Sequence, residues 1–393
     1  MAGPATTIRV ALTGLSWPLD PAFVATRDET TVARAIYATP LRTDLGGRVV
    51  PGLCTGDWRA ADGFRSWTFH CAHAEQIATE LRRVGRLRLS PAHWLFARVR
   101  TVGVSASGRL VVRLQSPWPR FPYALTAVAA APRGVAGPFR VIRADPTRVQ
   151  LARGDVTLVF RRVSAYRALQ AFRRHQLDEA PVPLGDLGYL RSRVHDVRVR
   201  RVLAQDVVQF VGRVPTDVRR AYWDTANRAD YEALVPENVA AAAFALVGTP
   251  KPNPAAFRRA VGRIPELPII RVRIAVPRDP TLAYAARLLF GQWREVGLAP
   301  QLVAAGATAD AVFRRVLAPY PQDEALLGAL GVTTDLAAVD QRGAFAAVDA
   351  RSAAEASIIP VCWVADARLV SPSLAGWRED VLGNVDYTQV MRR

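Results

Sequence analysis

The sequence predicts an α/β protein in which strand–helix–strand units are mixed with a region of antiparallel hairpins. Three observations carry this reading. The stretch 269–303 runs strand, helix, strand, which implies a parallel pair with a right-handed crossover. "VTLVF" (156–160) is an unbroken apolar strand of the kind buried on both faces. Two turn signals, Asp62-Gly63 and Asp145-Pro146-Thr147, sit between strand-like flanks, as hairpin turns do. The 393 residues accommodate two or three lobes, and the 50% hydrophobic content supplies a large core.

In chain order, "TTIRVALTG" reads as a first strand. "LSWPLDPAFVATRDE" is a loop, because Pro18 and Pro21 exclude helix. "TTVARAIY" is a short helix opened by Asp28 or Thr30.

Next comes "VVPGLCTGDWRAADGFRSWTFHC" (Val49–Cys71), with two of the three cysteines. A two-residue Asp62-Gly63 loop makes Ala61 face Phe64, Trp58 face Trp67 and Cys54 face Cys71, so that a disulfide closes the open end of the hairpin. A longer turn shifts this register. A metal site at His70, Cys71 and His73 is disfavoured, since adjacent strand residues point to opposite faces and no second ligand pair follows at zinc spacing.

"AHAEQIATELRRV" is a helix with Ile77, Leu81 and Val84 on one face. "LVVRLQSP" is a strand, "GPFRVIRADPTRVQLAR" a second hairpin, and "SAYRALQAFRRHQLDEAPVP" a helix running into a strand. "IIRVRIAV" (269–276) begins the parallel unit. Its helix has Asp279 as N-cap, Pro280 at the first position and Gly297 at the end, with Leu282, Ala286, Leu289, Trp293 and Val296 as the apolar stripe. "LAPQLV" returns as a strand. "SIIPVCWVADARLV" is a long apolar strand that buries Cys362 as a spare thiol. Internal repeats and long low-complexity linkers are absent from the sequence.

The formal net charge is +18, with a pI near 11.0. Of 52 Lys and Arg residues only Lys251 is lysine, and the arginines are scattered rather than gathered in a tail. This reads as solvated surface; polyanion binding and attraction to an anionic membrane are the sharper alternatives. No nucleic-acid motif occurs, so no nucleic-acid partner is expected. No apolar run reaches the roughly 18 residues of a membrane span. The start, "MAGPATTIRVALTG", has no signal-peptide pattern, so the expectation is either a cytoplasmic protein or an export segment absent from this chain; a Cys54–Cys71 bridge favours an oxidising compartment.

Catalytic constellations do not emerge. His70, His73, His93, His175 and His195 fall in no triad, metalloprotease or nucleophile-elbow spacing, and neither a P-loop nor a dinucleotide fingerprint occurs. The expectation is a protein without catalysis, cofactor or metal.

The order of weaker motifs is more telling. Leu19-Asp20-Pro21, Ile36-Tyr37, Pro51-Gly52-Leu53, Trp58 and Thr68-Phe69-His70 stand in the order in which the family 5 extracytoplasmic solute-binding proteins carry a Leu-Asp-Pro, a helix ending in Ile-Tyr, a Pro-Gly-Leu step, a Trp and a "TFH" strand. "GPFRVIRADPTRVQLAR", "RALQAFRRHQLDEAPVP", "DVRRAYWDTANRADYEAL", "APYPQDEALL" and the closing strand and tail continue the resemblance through most of the chain.

The resemblance implies a two-lobed, type II periplasmic-binding-protein-like α/β fold with an inserted antiparallel subdomain. One lobe would comprise 7–44, 136–212 and 356–393, the subdomain 45–135 and the other lobe 213–355. It implies an extracytoplasmic, monomeric protein, anchored or exported by a segment absent from this chain. That protein captures a peptide or other small-molecule ligand for an ABC importer permease. Arg27, Asp28, Glu29 and Tyr37, together with Val316, Leu317, Tyr320 and Trp363, fall where the family lines its cleft.

One departure matters: Pro319 stands where peptide-binding members place the Asp that receives the α-ammonium. A sugar, an anionic ligand or an N-blocked peptide are therefore options beside an ordinary peptide. An alternative role is a ligand sensor of the same fold without transport.

Overall fold

The computed structural model describes residues 6–193, 196–237, 239–247, 253–277, 279–332 and 344–393. His195 and Lys251 lie outside them.

β1 (Thr6–Leu12) is followed by a 3₁₀ turn at Pro21–Phe23 and by α1 (Arg27–Ile36). Thr26, not Asp28 or Thr30, caps α1. Its hydroxyl accepts from Glu29 N while the Glu29 carboxylate accepts from Thr26 N, so this capping box satisfies two orphan donors and moves the start upstream. β2 (Leu41–Thr43) and β3 (Val49–Pro51) form a small antiparallel pair.

The subdomain sheet holds β4 (Arg59–Ala61), β5 (Ser66–Phe69), β6 (Val99–Val104) and β7 (Leu110–Leu114), in the order β4-β5-β7-β6. Helix α2 (Ala74–Arg86) belongs to the same core: Ile77, Leu81 and Val84 are wholly buried in one cluster with Trp67 and Phe69. The short helices α3 (His93–Phe96) and α4 (Phe121–Ala124) complete it.

The first hairpin departs from the expected register. Asp62, Gly63 and Phe64 all take positive φ, so the turn runs from Asp62 to Arg65, and Trp67 pairs with Ala60 rather than Trp58. Cys54 still meets Cys71, as an isolated bridge, and the two are disulfide-bonded. Five steps separate Cys54 from Arg59 but only three separate Thr68 from Cys71, and this slack cancels the shift. His70 is exposed and Cys71 buried, as strand alternation requires.

The chain then forms β8 (Arg140–Asp145), β9 (Arg148–Arg153), β10 (Val156–Arg162), α5 (Ala165–Arg173), β11 (Glu179–Pro181), α6 (Leu187–Arg193) and the long β12 (Val197–Phe210). "DVRRAYWDTANRADYEAL" folds as two helices, α7 (Thr216–Asp224) and α8 (Arg228–Leu234), because Asn227 caps a new start. β13 (Val239–Ala242) and α9 (Pro254–Arg263) precede the parallel unit of β14 (Arg271–Ala275), α10 (Pro280–Glu295) and β15 (Ala299–Val303). Asp279 caps α10 by accepting from Leu282 N at 3.0 Å, and Gly297 takes φ +94° just past its end. β16 (Ala311–Leu317), α11 (Asp323–Leu330), α12 (Ala344–Glu355), β17 (Ile358–Val370), β18 (Leu374–Ala375) and β19 (Met391–Arg392) finish the chain.

Among the described residues, one sheet of 11 strands joins both lobes, with the path β15-β14-β16-β12-β17-β11-β1-β10-β9-β8 and β13 paired to β17. Its centre is the antiparallel pair β12–β17, which runs from one lobe into the other.

Candidate functional site

The two central strands change register where the lobes join. Arg201 pairs with Ala365 and Gln205 with Trp363, so β12 carries two residues more than β17 across this break. Val202, Ala204 and Val364 form a small apolar cluster there, against Leu317 at the end of β16. An irregularity in two long ladder strands is the local feature that lets two halves of a sheet twist independently.

In front of the break lies a cavity of about 150 Å³ between the lobes. Pro21, Val24, Thr30 and Arg34 of the first lobe, with Ala127–Ala129, form one wall; residues 314–319 and Ala329 form the other; Leu382 and Asn384 of the C-terminal tail also line it. β16 pairs with β12 along 311–317, but with β14 only at Ala311 and Val312. Its second edge beyond Val312 therefore has no strand partner among the described residues. An edge of this kind beside a cavity can accept an extended chain by main-chain hydrogen bonding.

The second lobe also touches the subdomain directly. Tyr320 is wholly buried against the subdomain, with ring centroids 6.3 Å from Trp94, 6.5 Å from Trp118 and 6.0 Å from Tyr123. Arg120 of the subdomain donates at 2.9 Å to both Glu324 and Gln322. Gly328 of α11 leaves room for the Trp94 ring, which any Cβ at that position would overlap.

The electrostatics divide into paired and unpaired groups. Arg315 donates to both Asp206 carboxylate oxygens at 2.8 and 2.9 Å. Behind the first-lobe wall, Arg27 meets Asp366 at 3.0 Å and Glu379 at 2.9 Å, while Arg368 meets Asp28 at 3.2 Å and Asp366 at 3.3 Å. Glu179 accepts from Trp377 Nε1 and Tyr387 Oη, each at 2.7 Å. Four carboxylates thus share two guanidiniums. Burial pushes the Asp366 carboxyl up to about 7: Arg27 opposes the rise, and the charge and hydrogen bond of Glu379 reinforce it. Burial with no acid beside it pulls the Arg314 guanidinium below its ordinary value.

The residues singled out from the sequence separate here. Val316 and Leu317 line the cavity. Arg27 and Asp28 turn into the buried charge network, and the Asp28 carboxylate accepts from Thr13 N and Gly14 N. Glu29 serves the helix cap. The Tyr37 hydroxyl donates to Leu19 O at 2.7 Å at the edge of the first-lobe core. Tyr320 packs between second lobe and subdomain, and Trp363 is buried with the Arg201 guanidinium 4.6 Å over its ring. Sequence reading passed over Arg34, Arg314 and Asn384; the one local signal is that Thr30 and Arg34 lie one turn apart on α1.

A larger, more open recess of about 640 Å³ lies on the other face of the central strands. Val199, Arg201 and Ala365 face it, whereas the alternate residues Arg200 and Asp366 face the tail.

No family model matches the chain, and no curated protein does. Solved structures do. A periplasmic oligopeptide-binding protein, or oligopeptide ABC transporter, of Borrelia burgdorferi aligns with TM-score 0.84 at 13% identity over 99% of this chain and 100% of its own. Haemophilus influenzae OppA in complex with RPPGFSPFR aligns with TM-score 0.82 at 14% identity over 100% of both chains. The Escherichia coli murein tripeptide binding protein MppA aligns with TM-score 0.81 at 15% identity over 98% of both, whereas its unliganded open form reaches 0.68. The chain has the two-lobed, type II fold of these binding proteins.

Proposed function

We propose that this protein captures a small, peptide-like or related solute between its lobes and delivers it to the permease of an ABC importer, without catalysis. The observation that carries the reading is the cavity at the lobe junction, walled by both lobes and set against the unpaired edge of β16. Ligand touching both walls stabilises the closed arrangement over the open one, and that difference is what a permease can sense. The whole-length likeness to oligopeptide-binding structures supports the same role.

In this reading 7–44, 136–212 and 356–393 build one lobe, 45–135 the subdomain and 213–355 the other lobe. Val316 and Leu317 touch the solute, while Arg27, Asp28, Glu29, Tyr37, Tyr320 and Trp363 hold the walls in place. The protein works as an extracytoplasmic monomer. Among the described residues no helix is long and apolar enough to cross a membrane.

Native mass spectrometry of the purified protein, before and after denaturation, tests the proposal. A small species released on unfolding is the expected result. A protein that releases nothing, and that no peptide, sugar or organic acid stabilises, would refute it.

A further inference from the structure

The cavity walls carry positive charge with nothing to meet it. The Nε atoms of Arg34 and Arg314 are buried and have no hydrogen-bond partner among the described residues, and both side chains belong to residues lining the cavity. One comes from each lobe. Among the described residues no Asp or Glu lines the cavity. The acids on the adjoining elements are engaged elsewhere: Asp28 by Arg368, Asp206 by Arg315, Glu324 by Arg120 and Asp380 by the N–H groups of Leu382 and Asn384. Both side chains are half-buried with the Nε shielded, and holding two such guanidiniums without a counter-charge on opposite walls of one cavity costs stability. Asn384 adds an acceptor: its Nδ2 donates to Asp380, while its buried Oδ1 has no partner among the described residues. Pro319 offers no side-chain acceptor to an ammonium group.

We propose that Arg34 and Arg314 form a two-sided anion site, and that the solute is a small molecule bearing at least one carboxylate and needing no free ammonium. The inference rests on the capture reading and narrows its ligand. The anion bridges α1 and β16, so its charge is what draws the lobes together. The Asn384 Oδ1 takes an N–H or O–H donor of the same molecule. A cavity of about 150 Å³ is small beside the roughly 300–1,000 Å³ of ordinary ligand sites, so the solute is compact unless the lobes part further.

Four probes test this by thermal shift and calorimetry on the full chain: N-acetyl-dialanine, succinate, dialanine amide and maltose. N-acetyl-dialanine or succinate is expected to bind and dialanine amide is not. Arg34→Gln and Arg314→Gln should each weaken the acid by roughly ten- to a hundredfold, the scale of one charged hydrogen bond. The variants also have a readout that needs no ligand. Removing an unpaired buried charge should raise the apo Tm by about 1–2 °C, whereas a structural arginine would lower it. Binding of the amide or maltose without either acid overturns the anion site and leaves capture standing. Acids that bind both variants as well as the parent overturn it too, as does a lowered apo Tm in both. If none of the four acts and native mass spectrometry releases nothing, the capture reading falls with it.

Discussion

Replacing Asp366 by Asn should change how stability depends on pH, by an amount the buried network sets. Asp366 sits on β17 beside the register break, with Arg27 at 3.0 Å, Arg368 at 3.3 Å and Glu379 close enough to share its proton. Two guanidiniums cannot neutralise Asp28, Glu179, Asp366 and Glu379 together, so retaining one proton is the cheaper solution. The folded carboxyl lies near 7 against 3.8 when unfolded.

Below 3.8 both states hold the proton. From there to about 7 the folded chain holds it and the unfolded chain does not, so this group's contribution falls as pH rises. At about 1.4 kcal/mol per pH unit the full span is about 4 kcal/mol, a ceiling because Glu379 shares the change. Urea unfolding of parent and Asp366→Asn at intervals from about pH 4 to 8 isolates the network's effect, since titrating groups outside it cancel in the difference. The parent's advantage should shrink steadily and flatten above neutrality. A parent-minus-variant difference that stays constant across the range would refute the shared-proton account.

Three further outcomes follow from packing and covalent structure. Replacing both Cys54 and Cys71 by Ala should destabilise the protein by about 3 kcal/mol, the chain-entropy value for a loop of 17 residues, seen as a lowered melting temperature that reductant no longer changes. Gly328→Ala places a methyl inside the Trp94 ring, and small-angle scattering should show lobes held further apart; an unchanged radius of gyration would mean that Trp94 swings aside. Trp293→Ala empties the wholly buried centre of the second lobe and removes the bond from its Nε1 to Tyr222 O at 3.1 Å, for a loss of about 3–5 kcal/mol in chemical denaturation.

How far the sequence could be read depended on punctuation. The β14–α10–β15 unit was legible because Asp279, Pro280 and Gly297 mark its helix at both ends. The α7–α8 segment was not, since Asn227 looks like an ordinary helix residue until its side chain accepts from Asp230 N and starts a new turn. The first hairpin was half legible: Asp62-Gly63 announces a turn, but no rule anticipates that Phe64 joins it in the left-handed region. At the cleft, Val316 and Leu317 were reached only through the order of distant motifs. Arg34 and Arg314 stayed hidden for a different reason. In so arginine-rich a chain one arginine looks like any other, and a missing partner is visible only once the partners of its neighbours are known.

The strand order also bears on how the protein comes to be made. β1 lies between β10 and β11, and β11 in turn pairs with β17. β1 thus joins a sheet in which it is separated from the late strand β17 only by β11, and Arg27 waits for Glu379 and the Gly383 carbonyl in the tail. The second lobe is more local in sequence, yet its core also takes in Ile359, Val361 and Cys362 of β17. Until β17 emerges neither lobe is complete, and the nascent chain stays open to proteolysis or to handling by chaperones late into its synthesis.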